Sequence, residues 1–432
     1  VSQNVHVPPT SARLVLIGWL CSLAAILYLD RICMAQAIKP IEEELGLSKL
    51  EISYVSMAFT LAYGLFAMPV GRLADRIGSR SVLTGIVLAW SVFTALSGAA
   101  GGLLSLIAAR FLFGATEAGA FPNAARIIVR WFPIGEQGRV QGVMLGAAQF
   151  GAVMAPTAAA LLIDAVGWRW SLADFALVGI VWAVGFWFWF RDDPAAHPGV
   201  NAAELLLIRA NTAPPAAAPG LVPWREILTN RGIVVLGLIN VLGSFYTYFF
   251  YTWFPNYLAN AHQLSNLETG KLASFVLSGS AVGVLVGGWL ADRIPRWFGD
   301  PIGARQRLGV VCYLVSAGCL FAGVRCDDPL ALATLWCASF FAMHLTMPSW
   351  WSIVIPQSGR HVGAIFGLAN GIGVVGAMAS QGCVGWFVDR QRSLGISGRE
   401  QWDPLMTLYV GVLLLGTAAW GLYRYRPLRD DG

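Results

Sequence analysis

Apolar stretches of about 20 residues recur from one end of this sequence to the other. That feature restricts the fold more than any other. A hydrocarbon layer about 30 Å thick is spanned by about 20 helical residues, and inside it every backbone N–H and C=O must be bonded within the structure. Only helices or closed barrels meet that demand, and the stretches lack the two-residue alternation of barrel strands. The expected fold is an all-α polytopic membrane protein. Composition agrees, because 12% of the residues are charged where a soluble domain carries about 25%.

Turn and charge signals divide the apolar stretches into twelve expected spans. Six lie near residues 13–37, 50–71, 82–100, 103–129, 140–165 and 171–190, and six near 232–258, 270–291, 307–325, 330–355, 362–388 and 405–424. Residues 191–230 between the sets are charged and rich in Ala and Pro, which reads as a linker. The expected organisation is an N-terminal six-helix bundle over 1–190, a linker over 191–230 and a C-terminal six-helix bundle over 231–432. The first run has no small-residue cleavage site and carries Asp30 and Arg31 near its far end, so it is read as a retained span rather than a signal peptide.

Basic residues set the orientation. With the N-terminus inside, nineteen of the 29 Lys and Arg fall in inner segments and eight in outer ones, leaving Arg31 and Arg110 within spans. The positive-inside rule then puts both termini and the linker in the cytoplasm, and the expected location is a bacterial inner membrane. The net charge of +5 follows this loop topology and does not indicate nucleic acid. GRLADRIG at 71–78 returns as GWLADRIP at 288–295, a repeat of the kind from which secondary transporters are built.

Four charges in mid-span carry the functional argument: Asp30 and Arg31 in the first span, Arg110 and Glu117 in the fourth. Each costs about 2.5–3.5 kcal/mol at a helix centre, so the four together cost about 10–14 kcal/mol before pairing. Arg110 and Glu117 are seven residues apart and share a helix face about 10 Å apart along the axis. Such residues either glue helices together as ion pairs, snorkel to an interface, or serve a pathway through the membrane. Guanidinium forks suit bidentate carboxylate recognition, whereas glue between membrane helices is usually small or neutral polar. Tyr28, on the face of Arg31, and Tyr63, beside Gly64, are either pocket donors or packing residues. Gln149 is a hydroxyl binder or a packing residue. The second half offers Tyr246, Tyr248, Tyr251, Trp253, Trp350 and Trp351, a stacking wall or an interface belt.

Other chemistry is excluded. GIGVVG at 371–376 lies within a span and follows no strand, so it is no dinucleotide site. Walker A, HExxH and GxSxG patterns are missing, the five histidines form no ligand cluster, and the seven cysteines are scattered as packing residues. No enzyme, cofactor or metal is expected, and buried His344 reads as a hydrogen-bonded packing residue.

GRLADRIGSR resembles the signature loop of the major facilitator superfamily, and the resemblance covers essentially the whole chain. It implies a conformational latch of Gly71, Asp75, Arg76 and Arg80, with a weaker second copy in Gly288, Asp292 and Arg293, bridging the bundles on the cytoplasmic side. LYLDR at 27–31, RFLFGATEAGAFPNAARIIVRWFP at 110–133 and TWFPNYL at 252–258 are similar to the anion:cation symporter family, which includes galactonate, glucarate and hexuronate carriers and vesicular glutamate and sialic-acid transporters. The resemblance implies substrate-binding arginines at Arg31 and Arg110 and proton-coupling carboxylates at Asp30 and Glu117. Ser349, Trp350 and Asn370 fall at positions resembling the family's substrate contacts, although Met347 stands where a small polar residue is expected. The implied activity is proton-coupled symport of a small organic anion such as an aldonate, uronate or aldarate, by alternating access of a monomer in the lipid bilayer. Anion exchange, carriage of an aromatic or dicarboxylic acid, and ligand sensing without transport stay open.

Overall fold

The computed structural model describes residues 8–209, 222–358 and 361–425. Arg360, Arg426 and Arg429 and the central part of the linker lie outside the described residues, as does the side chain of Asp75. The first bundle comprises α1 (Ala12–Leu45), α2 (Lys49–Ile77), α3 (Ser79–Gly98), α4 (Leu103–Glu117), α5 (Ala120–Trp131) and α6 (Ile134–Trp189). The linker carries α7 (Ala202–Arg209) and α8 (Trp224–Thr229). The second bundle comprises α9 (Arg231–Thr252), α10 (Phe254–Ala261), α11 (Asn266–Phe298), α12 (Pro301–Val324), α13 (Pro329–Gln357), α14 (Val362–Ser393) and α15 (Arg399–Leu422).

Among the described residues, ten helices and the α4–α5 segment taken together (Leu103–Trp131) are long and apolar enough to cross a bilayer. Helix α6 crosses twice: its 56 residues would reach about 84 Å if straight, well beyond a bilayer. The turn between crossings is Gly167, at φ 80° and ψ 162°, a backbone region open to glycine. Twelve crossings result, as the sequence implies. The expected single span at 103–129 is interrupted at Ala118 and Gly119, just past Glu117. There a Cβ on Gly119 would collide with Val70 of α2. The expected span at 232–258 is likewise broken, at Trp253, with Pro255 opening α10.

Local signals set the helix ends. Ser48 and Glu51 form a reciprocal capping box at the start of α2. Asn230 accepts from the N–H groups of Gly232 and Ile233 at the start of α9, and Asp328 caps α13 through Ala331. The cap of α3 comes from the linker, where Asp192 accepts from the N–H groups of Ser79 at 2.7 Å and Arg80 at 3.1 Å. The linker is further pinned where Glu204, fully buried, accepts from Thr10 and from the Arg13 N–H. His197 sits edge-on between Trp131 and Trp189.

The bundles meet through hydrogen bonds at the end remote from the termini and linker. Gln36 of α1 donates to Asn266 and Thr269 of α11. Ser53 and Thr60 of α2 donate to Gln381 of α14, Thr157 of α6 engages Gly270 and Ser274 of α11, and Asn266 donates to Asp164. At the opposite end Arg76, Ile77, Asp292 and Arg293 are exposed. The bundles are sealed at one end and open toward the end that carries both termini.

Candidate functional site

The four mid-span charges converge where α1, α2 and α4 meet. Helical spacing separates neighbours by 100°, so Asp30 and Arg31 leave α1 in different directions. Arg31 donates to one oxygen of Glu117, from Nε at 3.0 Å and from Nη2 at 2.6 Å. The other oxygen of Glu117 is buried without a hydrogen bond. The guanidinium of Arg31 also lies over the rings of Tyr63 at 4.6 Å, Tyr28 at 5.1 Å and Phe59 at 5.4 Å.

Arg110 is 3% exposed, and its Nε and Nη1 make no hydrogen bond. It stacks over Phe113 at 4.3 Å and Phe59 at 5.2 Å, so Phe59 stands between the two guanidiniums. Asp30 is 1% exposed, neither of its oxygens makes a standard hydrogen bond, and its electrostatic neighbours are Glu117, Arg110 and the Trp90 indole. The packing that permits this is close. Gly114, between Arg110 and Glu117 on α4, lies against the Phe59 backbone, where any Cβ would clash.

The second bundle contributes tyrosines. Tyr248 and Tyr251 of α9 share the electrostatic surroundings of Arg31 and Tyr28, and their rings are 6.1 Å apart. Asn370 is exposed on α14, one turn before Val374, whose methyls would lie 2.8 Å from a Cβ on Gly64. That contact places the Asn370 face of α14 against the Gly64 face of α2. Gln149 is half-buried and accepts from Ser280 of α11 at 3.4 Å, so it touches the other bundle.

Of the expected contact residues on α13, Trp350 points elsewhere. Trp350 donates its indole N–H to the Leu236 carbonyl at 3.2 Å. It lines a small apolar cavity of about 20 Å³ with Ile233, Val354, Ile365 and Ala369, inside the second bundle. Ser349 is fully buried and its hydroxyl has no hydrogen bond. The sequence signal for Trp90 is slight: a lone indole in an apolar span. Tyr248 and Tyr251, part of the expected aromatic wall, are set on one face by their i, i+3 spacing.

The latch residues lie at the open end. Gly71 packs against Pro122 of α5, within the first bundle. Arg80 donates to the Trp187 carbonyl from Nε at 2.9 Å and Nη2 at 2.5 Å, and stacks over the Trp187 ring at 4.2 Å. Gly288 has no atom within 4 Å of its Cβ position, and Arg293 lies over Trp289 of its own helix at 4.4 Å. Gly71, Arg80 and Arg293 are thus engaged inside their own bundles in this conformation. His344 is buried, with Nδ1 2.9 Å from the Phe340 carbonyl.

A two-bundle helical fold with paired charges buried at its centre and one open end is the architecture of a carrier, and the profile of the Major Facilitator Superfamily matches residues 20–381. The chain belongs to the Major Facilitator Superfamily. Superfamily relatives align along nearly its whole length. It is 31% identical to the probable sulfoacetate transporter SauU of Cupriavidus necator, over 96% of this chain and 94% of that protein. It is 30% identical to the D-galactonate transporter of Escherichia coli, over 84% of this chain and 86% of the relative. With the probable galactarate/D-glucarate transporter GudP of Bacillus subtilis the identity is 28%, over 88% and 86%. Among solved structures, a bacterial homologue of the human lysosomal transporter Spinster, crystallised inward-facing and unoccupied, superposes with a TM-score of 0.79 at 18% identity, covering 95% of this chain and 97% of that one. That likeness concerns the fold. The chain is accordingly a membrane transporter and not an enzyme.

Proposed function

We propose that this superfamily member carries a small organic anion together with protons, by alternating access of the site between its bundles, with both termini in the cytoplasm. The observation that carries this reading is the imbalance of the buried charges. Of two arginines and two carboxylates, only Arg31 and Glu117 satisfy one another. Arg110, Asp30 and one oxygen of Glu117 retain buried polar atoms without hydrogen bonds. Unsatisfied charge in a low-dielectric interior is costly, and a structural ion pair would leave none. A carboxylate ligand on Arg110 and protons on Asp30 and Glu117 remove that cost.

Arg31 and Arg110 are assigned to the anion, and Asp30 and Glu117 to protons. Tyr28, Tyr63, Gln149 and Asn370 supply donors and acceptors suited to hydroxyls. Ser349, buried and without a hydrogen bond, and Trp350, turned into the second bundle, join the site when the open end closes, and Gly71, Asp75, Arg76, Arg80, Gly288, Asp292 and Arg293 form the latch of that closed state. The relatives' names denote carriers of sulfoacetate, D-galactonate and galactarate or D-glucarate. All are small organic anions, and the hydroxyl-binding groups favour a sugar acid.

The test is a thermal-shift screen of the purified protein against these acids, since a ligand bound only by the folded state stabilises it by mass action. Uptake into proteoliposomes under an imposed pH gradient follows for each acid that stabilises. The expected result is at least one stabilising acid that accumulates when the outside is more acidic. Stabilisation without accumulation would instead favour a sensor, and exchange indifferent to pH an antiporter.

A further inference from the structure

We propose that Asp389 is the outer latch of this transporter: a carboxylate of the second bundle that caps α2 of the first and holds the sealed end shut. Asp389 lies near the end of α14. Its two oxygens accept from the backbone N–H groups that open α2, Oδ1 from Lys49 at 3.2 Å and Oδ2 from Leu50 at 2.8 Å. These are among the four N–H groups that no helix can satisfy internally, and they sit at the positive end of its dipole. Ser48 of the same chain segment satisfies only Glu51. The first bundle therefore leaves two donors that the second supplies with an anion.

The side chain of Lys49 reinforces the junction. Its ammonium pairs with Glu42 of α1 and donates to Asn256 of α10 at 2.8 Å, so a single residue ties α1, α2, α10 and, through its backbone, α14. The pair is shielded, with side-chain exposures of 9% for Lys49 and 12% for Glu42. Along the same seam Gly385, one turn before Asp389, meets α2 so closely that a Cβ would lie 2.5 Å from the Lys49 carbonyl and 3.0 Å from the Leu50 Cα. Another turn earlier, Gln381 accepts from Ser53 and Thr60. Residues 381, 385 and 389 thus form one stripe of α14 that runs along α2.

The sealed end can open only if this stripe leaves α2. Asp389 makes the charged contact on it, and charge-assisted hydrogen bonds are the strong ones. Removing it biases the protein toward the state open at that end. In that state the opposite end, with Arg76, Arg80, Asp292 and Arg293, closes.

The experiment is hydrogen–deuterium exchange of the full-length purified protein, comparing wild type with Asp389→Ala and, independently, Gly385→Ala, whose methyl wedges the same seam. Loss of a charge-assisted bond is expected to speed exchange of the Lys49 and Leu50 amides by about tenfold. Exchange at 65–80 and 284–298 is expected to slow in both variants. Slowing cannot come from unfolding, so it separates a latch from a mere helix cap. Faster exchange at the sealed end with none slowed at the open end, in both variants, overturns the proposal. The inference rests on alternating access, which the proteoliposome measurement tests separately, so failure of one is distinguishable from failure of the other.

Discussion

Glu117→Gln isolates the proton-coupling role from the structural one. The amide keeps an oxygen where Glu117 Oε1 now accepts both hydrogen bonds of Arg31, so the geometry survives and one charge is lost. With both carboxylates ionised against Arg31 and Arg110 the native site is neutral. An arriving monoanion makes it negative by one, a first proton restores neutrality, and a second leaves the loaded carrier positive. A pH difference of one unit is worth about 1.4 kcal/mol per proton, or about tenfold accumulation. Two buried carboxylates therefore set a ceiling of about a hundredfold at one pH unit with the membrane potential clamped at zero. In Glu117→Gln the empty site is already positive by one and accepts the anion with no proton at that position. The expected plateau drops by about tenfold, while binding of the acid persists because both arginines remain. Asp30→Asn is expected to behave in the same manner. The assay is the accumulation plateau in proteoliposomes with the potential clamped, with counterflow as the control for intact binding and movement. If both single mutants reach the wild-type plateau, the assignment of protons to these carboxylates is wrong.

Three further outcomes are expected. Arg31→Lys and Arg110→Lys keep the charge but lose the planar fork, and each should weaken binding of the acid by calorimetry by about tenfold or more, the worth of one charge-assisted bond; near-normal affinity in both would return the arginines to a structural role. Ala196→Cys, at an exposed position of the linker, should resist an impermeant thiol reagent added outside intact cells, relative to wild type, and ready labelling would invert the topology. His197 is buried between two indoles and accepts from the Gly199 N–H through Nδ1 at 3.0 Å. Burial lowers its pKa below the usual 6.5, so the unfolded chain takes up the proton first and the docked linker loses stability as pH falls below that value. The thermal midpoint should therefore fall more between pH 7 and 5 in wild type than in His197→Phe, and equal slopes would count against the docking argument.

Much of this molecule is set by local chemistry, and that part was readable from the chain alone. Twelve crossings follow from twelve apolar stretches because lipid forbids an unsatisfied backbone. The burial of the four mid-membrane charges was equally plain, because such charges have no cheap alternative to a place between helices. Capping at Ser48 and Glu51 and the break at Pro255 are likewise decided by a few neighbouring residues. What sequence periodicity gives is the face on which a residue lies; it does not say which helix that face will meet. Arg31 and Glu117 pair across 86 residues of chain, while Asp30, adjacent to Arg31, is left near Arg110 and Trp90. Arg80 turns to Trp187 of its own bundle, Trp350 turns into the interior of the second, and Asp389 reaches α2 across 339 residues. Each of these was decided by tertiary register, set where glycines such as Gly114 and Gly385 let two backbones approach as no side chain would permit.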